Sequence, residues 1–335
     1  MSTPHSAPSA APTAPPQPAA PADLGFETAQ RLARELDARL GDVLRGKPEP
    51  VRLALVALLS GGHLLVDDVP GVGKTLLAKA LARTISGTFR RVQGTPDLLP
   101  SELTGVSVFH LAGNEWEFRP GPLFSHVVLV DELNRATPRT QSALLEAMEE
   151  HQVTVDGVTR PLPDPFFLVA TQNPFETAGT FPLVEGQLDR FTVVTEIGHP
   201  DPMTERSLLL GTGGEPALEA LGPVTDPHSL ALARATVRRV HCADEVADYT
   251  VAVARATRTH PDVVVGASPR GSLALLHAAQ AHAVLDARDY VVPDDVQRMA
   301  PPVLAHRLVM RDPMPLAEVR TFVAGLLTTV PVPRR

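Results

Sequence analysis

The chain has 335 residues, of which 44% are hydrophobic and 20% charged, and its formal net charge is −8 at pH 7. This length allows two domains with a sizeable core, and the acidic balance argues against a surface adapted to DNA or anionic lipid. The single cysteine, Cys242, excludes an internal disulfide and a zinc site built from cysteines. The longest apolar stretch, Leu53–Val66, is interrupted at residues 60–63 and is shorter than the roughly 20 residues that cross a bilayer. We therefore expect a cytoplasmic protein without membrane insertion.

The N-terminal segment is dominated by two residue types, with seven prolines and seven alanines in the first 22 positions. Such a composition cannot bury enough apolar surface to offset its ordering entropy, so residues 1–25 are predicted to form a disordered tail. No Lys or Arg precedes Arg31 and no unbroken apolar core is present, which argues against a signal peptide. A proline-rich docking segment is an alternative to a plain solvated tail.

Two helices are predicted before the first strand. Leucines at helical spacing indicate one helix over residues 26–44, and a second is predicted over Val51–Leu59. His63–Val66 then reads as a strand buried on both faces of a parallel sheet. The following turn contains Gly71 and Gly73, which can adopt backbone angles closed to other residues.

A helix beginning at Lys74 completes a strand, glycine loop and helix that together form a phosphate cradle. Lys74 would reach the β- and γ-phosphates, and Thr75 would place its hydroxyl on Mg²⁺. The general pattern G-x-x-x-x-G-K-[ST] has Gly where this chain has Asp68, so the loop starts with an Asx-type turn residue. The predicted nucleotide-binding residues are Asp68, Val69, Pro70, Gly71, Val72, Gly73, Lys74, Thr75 and Leu76.

A second buried strand, Val127–Val130, ends in the carboxylates of Asp131 and Glu132. Ligands of open parallel sheets bind at the carboxyl ends of the strands. We therefore predict that Asp131 holds Mg²⁺ through water and that Glu132 polarises the water attacking the γ-phosphate. A further strand over residues 166–170 ends in Thr171-Gln172-Asn173, which places a polar residue beside the same edge.

The remaining core elements include two β-hairpins. Alternation around Gly113-Asn114 predicts a hairpin over residues 107–118, and Gln152–Arg160 reads as a hairpin around Asp156-Gly157. Single strands are predicted over 89–93 and 192–197. A helix is predicted from Thr137-Pro138, with Thr as its cap, to Glu150.

From His199 onward, strand patterns vanish and Ala/Leu/Arg helices separated by turns continue to the end. This change predicts an α/β nucleotide-binding core over residues 26–200 and a helical lid domain over 201–335. Ser268 is predicted to cap a helix whose first turn contains Pro269, which places Arg270 at an end that attracts anions.

Taken together and in this order, these segments resemble the AAA+ ATPases, and more closely the MoxR family. The resemblance covers roughly Leu40 to Met299 and rests on GGHLLVDDVPGVGKT, RVQGTPDLLPSELTG, FRPGPLF, VDELNRATPRTQSALLEAMEE, ATQNPFETAGTFPLVEGQLDRF and GASPRGSLALL. It implies an AAA+ P-loop core, in which a parallel sheet is flanked by helices and carries inserted β-hairpins, followed by an all-α lid. An acidic residue at the position of Asp68 is frequent in MoxR proteins.

The resemblance also implies roles for individual residues. Lys74 and Thr75 match the Walker A motif, and Asp131 and Glu132 match Walker B, with Thr75 and Asp131 as metal ligands. The catalytic set is Glu132, Asn173 as sensor 1, Arg190 as an arginine finger directed at a neighbouring subunit, and Arg270 as sensor 2 on the lid. For Arg190, the alternative is a salt bridge that tethers the last strand. Arg135 stays outside this set, since it could lie at a subunit interface or bind Glu149-Glu150.

The function implied by the resemblance is hydrolysis of ATP with Mg²⁺ by a hexameric ring that remodels or matures client protein complexes, including cofactor or metal insertion. The partners of such proteins usually carry von Willebrand factor A domains. A nucleic-acid-dependent motor is the main alternative, and the acidic balance and the lack of a basic, aromatic-studded groove disfavour it. A small-molecule kinase fits the phosphate loop but not Asn173, Arg190 and the helical lid.

Overall fold

The computed structural model describes residues 24–176, 178–210 and 213–333. Residues 1–23 of the predicted tail lie outside this part of the chain. The core elements are α1 (Phe26–Val43), α2 (Pro48–Leu59), β1 (Leu64–Asp67), α3 (Lys74–Thr84), β2 (Phe89–Gln93), α4 (Pro100–Thr104), β3 (Gly105–His110), β4 (Glu115–Pro120), β5 (Val127–Asp131), α5 (Pro138–Glu150), β6 (Gln152–Val155), β7 (Val158–Pro161), β8 (Phe167–Gln172), α6 (Glu185–Leu188) and β9 (Val193–Thr195). The C-terminal elements are α7 (Pro202–Leu209), α8 (Glu215–Ala220), α9 (Pro227–Val237), α10 (Asp244–Thr259), β10 (Val263–Val265), α11 (Pro269–Leu285), α12 (Pro293–Leu304), β11 (Val309–Met310) and α13 (Leu316–Leu327).

The central sheet has five strands in the order β2-β5-β8-β1-β9, and every neighbouring pair is parallel. The carboxyl ends of all five strands therefore lie at one edge, where β1 leads into the phosphate loop and β5 into the two carboxylates. The register places Gln93 opposite Asp131 at this edge and Asp67 opposite Gln172. This arrangement confirms the predicted α/β core with a parallel sheet.

Both faces of the sheet are buried, in two separate apolar clusters. Leu64 and Val66 of β1 belong to a cluster shared with α1, α2, α3 and the C-terminal helices α11 and α12. Leu65, between them, belongs to the second cluster, which includes Leu144 and Leu145 of α5. Because successive side chains of a strand point to opposite faces, a strand covered on both sides must be apolar throughout, as β1 and β5 are.

The structure contains both predicted hairpins, as the antiparallel pairs β3–β4 and β6–β7. The last strand is shorter than predicted, because it ends at Thr195 rather than Ile197. The amide of Ile197 donates instead to the carboxylate of Asp68, which takes the place of a strand partner. The second helix begins earlier than predicted, at Pro48, since proline is well suited to a first helical turn.

The region after residue 199 is helical, as predicted, with one exception. Strands do not vanish completely, because β10 and β11 form a small antiparallel pair in which Val263 lies opposite Met310. With three and two residues, these strands are too short to show an alternation of apolar and polar residues in the sequence. They follow α10 and α12, whose ends bring them together. No helix in the described part of the chain is long and apolar enough to span a bilayer.

Candidate functional site

The phosphate loop connects β1 to α3 at the carboxyl edge of the sheet. Gly71 and Gly73 have φ angles of 85° and 105°, and no atom lies within 4 Å of a Cβ built at either position. Both glycines thus adopt left-handed backbone angles that other residues resist. The Nζ of Lys74 donates to the main-chain oxygen of Asp68 at 2.6 Å. Burial lowers the pKa of Lys74, against the opposing effect of carboxylates that include Asp68 and Asp131.

The carboxylate of Asp68 binds main-chain amides of two segments. Its Oδ1 accepts from the Val69 amide at 2.7 Å, and its Oδ2 accepts from the amides of Ile197 and Gly198, each at 2.7 Å. The carboxylate therefore ties the phosphate loop to the segment after β9. Asp68, one of the predicted nucleotide-binding residues, thus stabilises the conformation of the loop through its carboxylate, and its main-chain carbonyl orients Lys74.

A cavity of about 320 Å³ opens above the loop. From the predicted nucleotide-binding set, it is lined by Pro70, Gly71, Gly73, Lys74, Thr75 and Leu76. Val72 packs instead against the apolar core. The cavity is also lined by polar residues in or directly after β2, β5 and β8, together with Glu215; these are Arg91, Gln93, Asp131, Glu132, Thr171 and Asn173. The structure thus brings the predicted Walker B pair and Asn173 to the phosphate loop.

Thr171 contacts both Asp131 and Glu132, since its hydroxyl donates to Asp131 Oδ1 at 3.3 Å and accepts from the main-chain amide of Glu132 at 2.9 Å. Asp131 Oδ2 also accepts from Nε of Arg91 at 2.6 Å. Glu132 itself has a φ of 54°, an uncommon left-handed angle for a residue with a side chain. Such strained residues cluster at functional sites.

Gly94 is a part of this site that the sequence analysis did not single out. A Cβ at Gly94 would lie 2.2 Å from the main-chain oxygen of Glu132 and 2.9 Å from that of Asp131. Only glycine therefore allows the end of β2 to approach the turn after β5 this closely. The available signal was a glycine placed directly after a strand, which is typical of a close backbone approach.

The Glu132 side chain is held by two donors that the sequence analysis also left out of the site. Its Oε2 accepts from Nε2 of Gln93 at 2.9 Å and from a guanidinium nitrogen of Arg135 at 3.1 Å. Arg135 also lies 3.6 Å from a carboxylate oxygen of Glu176. The option that Arg135 binds Glu149-Glu150 is therefore wrong, because the 3-10 turn over Leu133–Arg135 returns its side chain to Glu132.

Asn173 lies at the rim of the cavity, where its Oδ1 accepts from the Phe175 amide at 3.1 Å. This is an Asx-type turn, which fixes the direction of the side chain. The NH₂ group of Asn173 bonds to none of the described residues, so it is a donor available to a phosphate or a water.

Arg190 and Arg270 lie in a different place, a cleft of about 350 Å³ between the core and the lid. Arg190 donates to the Leu145 carbonyl at 2.6 Å, and its guanidinium lies 3.2 Å from Oε2 of Glu149. Arg270 pairs with the other carboxylate oxygen, Oε1. Neither arginine lines the cavity of its own phosphate loop. Arg190 forms a salt bridge, as the alternative hypothesis for this residue predicts, although the bridge leads to α5.

The cleft is built around a contact between the lid and Asp189. Nε of the buried Arg307 donates to Asp189 Oδ1 at 2.7 Å, and Ser268 donates to Oδ2 at 3.0 Å. Ser268 also caps α11, since its hydroxyl accepts from the Gly271 amide at 3.1 Å, as the sequence predicted. These contacts place Arg270, in the first turn of α11, beside Arg190.

Comparisons with known proteins agree with this architecture. Residues 63–193 match the model of the ATPase family associated with various cellular activities (AAA), and residues 255–324 match that of the AAA lid domain. The chain is 47% identical over 293 residues to the uncharacterized protein YeaC of Bacillus subtilis, covering 87% of this chain and 92% of that protein. It is 41% identical over 278 residues to the chaperone MoxR1 of Mycobacterium tuberculosis, covering 80% and 73%.

Two further similarities extend over nearly the whole chain. Identity to the protein MoxR of Paracoccus denitrificans is 30% over 332 residues, covering 90% of this chain and 96% of that protein. The crystal structure of a candidate ATPase from Cytophaga hutchinsonii superposes with a TM-score of 0.84 at 31% identity, covering 92% of this chain and 97% of that one.

Proposed function

Since the chain belongs to the MoxR family of AAA+ ATPases, we propose that it hydrolyses ATP at sites shared between neighbouring subunits of a ring. One observation carries this proposal. Lys74, Thr75 and Glu132 line one cavity, whereas Arg190 and Arg270 lie together in another. This separation supports a role for the two arginines at the nucleotide site of a second copy of the chain.

Within one subunit, the cavity residues fit a nucleotide and Mg²⁺. The loop offers its main-chain amides, the positive end of α3 and the Lys74 ammonium to phosphate oxygens. The Thr75 hydroxyl and the Asp131 carboxylate are oxygen ligands of the kind that Mg²⁺ prefers, and Asp131 already pairs with a cation, Arg91. When bound, the ion would neutralise charge on the phosphates.

The remaining residues have roles in the attack of water. Glu132, held at the cavity by its main-chain contact with Thr171, would orient the attacking water and take its proton. The Asn173 amide, fixed by its Asx-type turn, would hold the same water or the terminal phosphate. Arginine supplied by a neighbour stabilises charge on the transferred phosphoryl group, an effect of about 10³–10⁵ in rate. Hydrolysis would therefore depend on assembly.

For the biological role, we propose a cytoplasmic hexamer that remodels or matures protein complexes, including those that receive a metal or cofactor. The name of the chaperone MoxR1, a 41% identical relative, supports a chaperone-like role. By family resemblance, the partner would carry a von Willebrand factor A domain. Such a partner should stimulate ATP hydrolysis.

The alternative of a nucleic-acid motor is not supported by the β3–β4 hairpin. Its basic side chains His110 and Arg119 share one carboxylate, since His110 pairs with Glu117 at 2.5 Å and Arg119 lies 3.6 Å from the same group. A groove that follows a phosphate backbone needs unpaired cations beside its aromatic side chains. Stimulation of the ATPase by single-stranded DNA would reverse this preference.

The shared site is tested by mixing two inactive variants, Lys74→Ala and Arg190→Ala. In a mixed ring, a Lys74→Ala subunit can offer its intact Arg190 to the intact phosphate loop of an Arg190→Ala neighbour. Random mixing of equal amounts makes one head-to-tail interface in four complete, so roughly a quarter of wild-type ATPase activity is expected. Absence of any recovery over a range of mixing ratios would refute a site shared between subunits.

A further inference from the structure

Glu149, near the end of α5, contacts both arginines of the core–lid cleft. Arg190 lies 3.2 Å from its Oε2, and Arg270 pairs with its Oε1. Arg190 belongs to the core and Arg270 to the lid, so one carboxylate holds together two cations from separate parts of the fold. Two guanidinium groups this close would otherwise repel each other.

No other carboxylate in the described residues pairs with either arginine. Asp189, which also lines the cleft, is occupied by Arg307 and Ser268. Arg190 has a second anchor, the Leu145 carbonyl at 2.6 Å, which would keep its guanidinium in place if Glu149 moved away. Glu149 therefore occupies the one anion position that both arginines share.

We propose that Glu149 stands where the terminal phosphate of a neighbour's nucleotide binds in the ring, and that it competes with this phosphate for Arg190 and Arg270. The inference rests on the proposed shared site. Arginine forms paired hydrogen bonds with carboxylate and phosphate in similar geometry, so one group can replace the other. The arginines of an unassembled subunit are thus neutralised until a nucleotide-bearing neighbour arrives.

The exchange is feasible because the contacts are partly solvated. The side chains of Arg190, Glu149 and Arg270 are 30%, 34% and 47% exposed. Ion pairs with this exposure are weak, and removing the competing charge should change an apparent affinity by roughly two- to fivefold for each pair. A doubly paired Glu149 is therefore strong enough to delay assembly and weak enough to be displaced.

The test compares Glu149→Gln with the matched control Glu150→Gln. Glu150 is the next residue on α5, is exposed, and forms no ion pair with any described residue. Sedimentation velocity with a non-hydrolysable ATP analogue and Mg²⁺ measures the protein concentration at which subunits assemble. Because Glu149 makes two pairs, we expect this concentration to fall about 4- to 25-fold in Glu149→Gln and to match wild type in Glu150→Gln.

Substituting both arginines separates competition for them from a general effect of removing the Glu149 charge. In an Arg190→Ala, Arg270→Ala background, Glu149→Gln should leave assembly unchanged, because no arginine remains to be released. If Glu149→Gln instead weakens assembly, Glu149 positions the arginines and the inference is wrong. Glu149→Ala, with melting monitored by circular dichroism, should shift assembly in the same direction. If wild type neither assembles nor hydrolyses ATP, the shared site itself is refuted; if wild type does both and Glu149→Gln behaves as Glu150→Gln, only the inference fails.

Discussion

Replacing Asp68 by glycine would restore the residue that the general phosphate-loop pattern favours, and we expect it to destabilise the protein. The Asp68 carboxylate accepts three main-chain N–H groups, from Val69, Ile197 and Gly198, each at 2.7 Å. Glycine would leave these donors without their acceptor. The φ angle of Asp68 is negative, so glycine relieves no strain there.

The size of the effect follows from these three bonds. A hydrogen bond to a charged group contributes roughly 1.5–3 kcal/mol. The Ile197 amide is buried and cannot recover a partner from water, whereas the other two are partly exposed. We assign about 2 kcal/mol to the hydrogen bond from Ile197 and about 1 kcal/mol to each of the bonds from Val69 and Gly198. The freer glycine backbone adds about 0.5–1 kcal/mol through the unfolded state. Asp68→Gly should thus lower the free energy of unfolding by about 4.5–5 kcal/mol.

The assay is urea unfolding followed by circular dichroism, with Asp97→Gly as the control. Asp97 is exposed, forms no hydrogen bond through its side chain with any described residue, and should lose only the backbone contribution of about 0.5–1 kcal/mol. Asp68→Asn, which keeps one acceptor oxygen but no charge, should fall between the two. If Asp68→Gly is as stable as Asp97→Gly, the hydrogen bonds of Asp68 contribute nothing to the free energy of unfolding.

Three further predictions concern the site and the core. Glu132→Gln should bind ATP but hydrolyse it about 10²–10⁴-fold more slowly, because the metal ligand stays and only the base-like carboxylate is lost; wild-type turnover would remove Glu132 from this role. Gly94→Ala should slow ATP hydrolysis and lower the melting temperature, since its Cβ would lie 2.2 Å from the main-chain oxygen of Glu132. The control is Gly113→Ala, whose Cβ would meet only the Glu115 side chain. Burial lowers the pKa of His63 from 6.5 to about 3, so the folded state resists a proton that the unfolded state binds. The free energy of unfolding should then be highest above about pH 6.5 and fall by up to about 1.4 kcal/mol per pH unit on acidification towards pH 3. Urea titrations between pH 8 and 5 would measure this slope, and His63→Gln should reduce it.

Much of the fold could be predicted from the sequence because its signals are local. The apolar run of β5 requires cover on both faces, and the glycines before Lys74 mark a loop between strand and helix. The hairpins could be recognised from short-range alternation around turn residues. The end of the last strand has no such local signal, because the pairing of Ile197 with Asp68 joins residues that lie 129 positions apart in the chain.

The site residues likewise divide into those with a local sequence signal and those without one. The motif residues Lys74, Thr75, Asp131 and Glu132 stand out because their types and spacing are fixed by phosphate and metal chemistry. Gly94 gives only a weak signal, because its importance comes from the backbone of another strand.

The sequence by itself determined a parallel α/β core, a phosphate loop, a pair of acidic residues at the sheet edge and a mainly helical C-terminal region, since each depends on neighbouring residues. Only the tertiary structure decided that Arg190 and Arg270 share Glu149 in a cleft apart from Lys74. Arg270 is 121 positions from Glu149 in the chain, and their contact depends on how the lid packs against α5. No local pattern encodes such a distance, because it results from the packing of the whole apolar core.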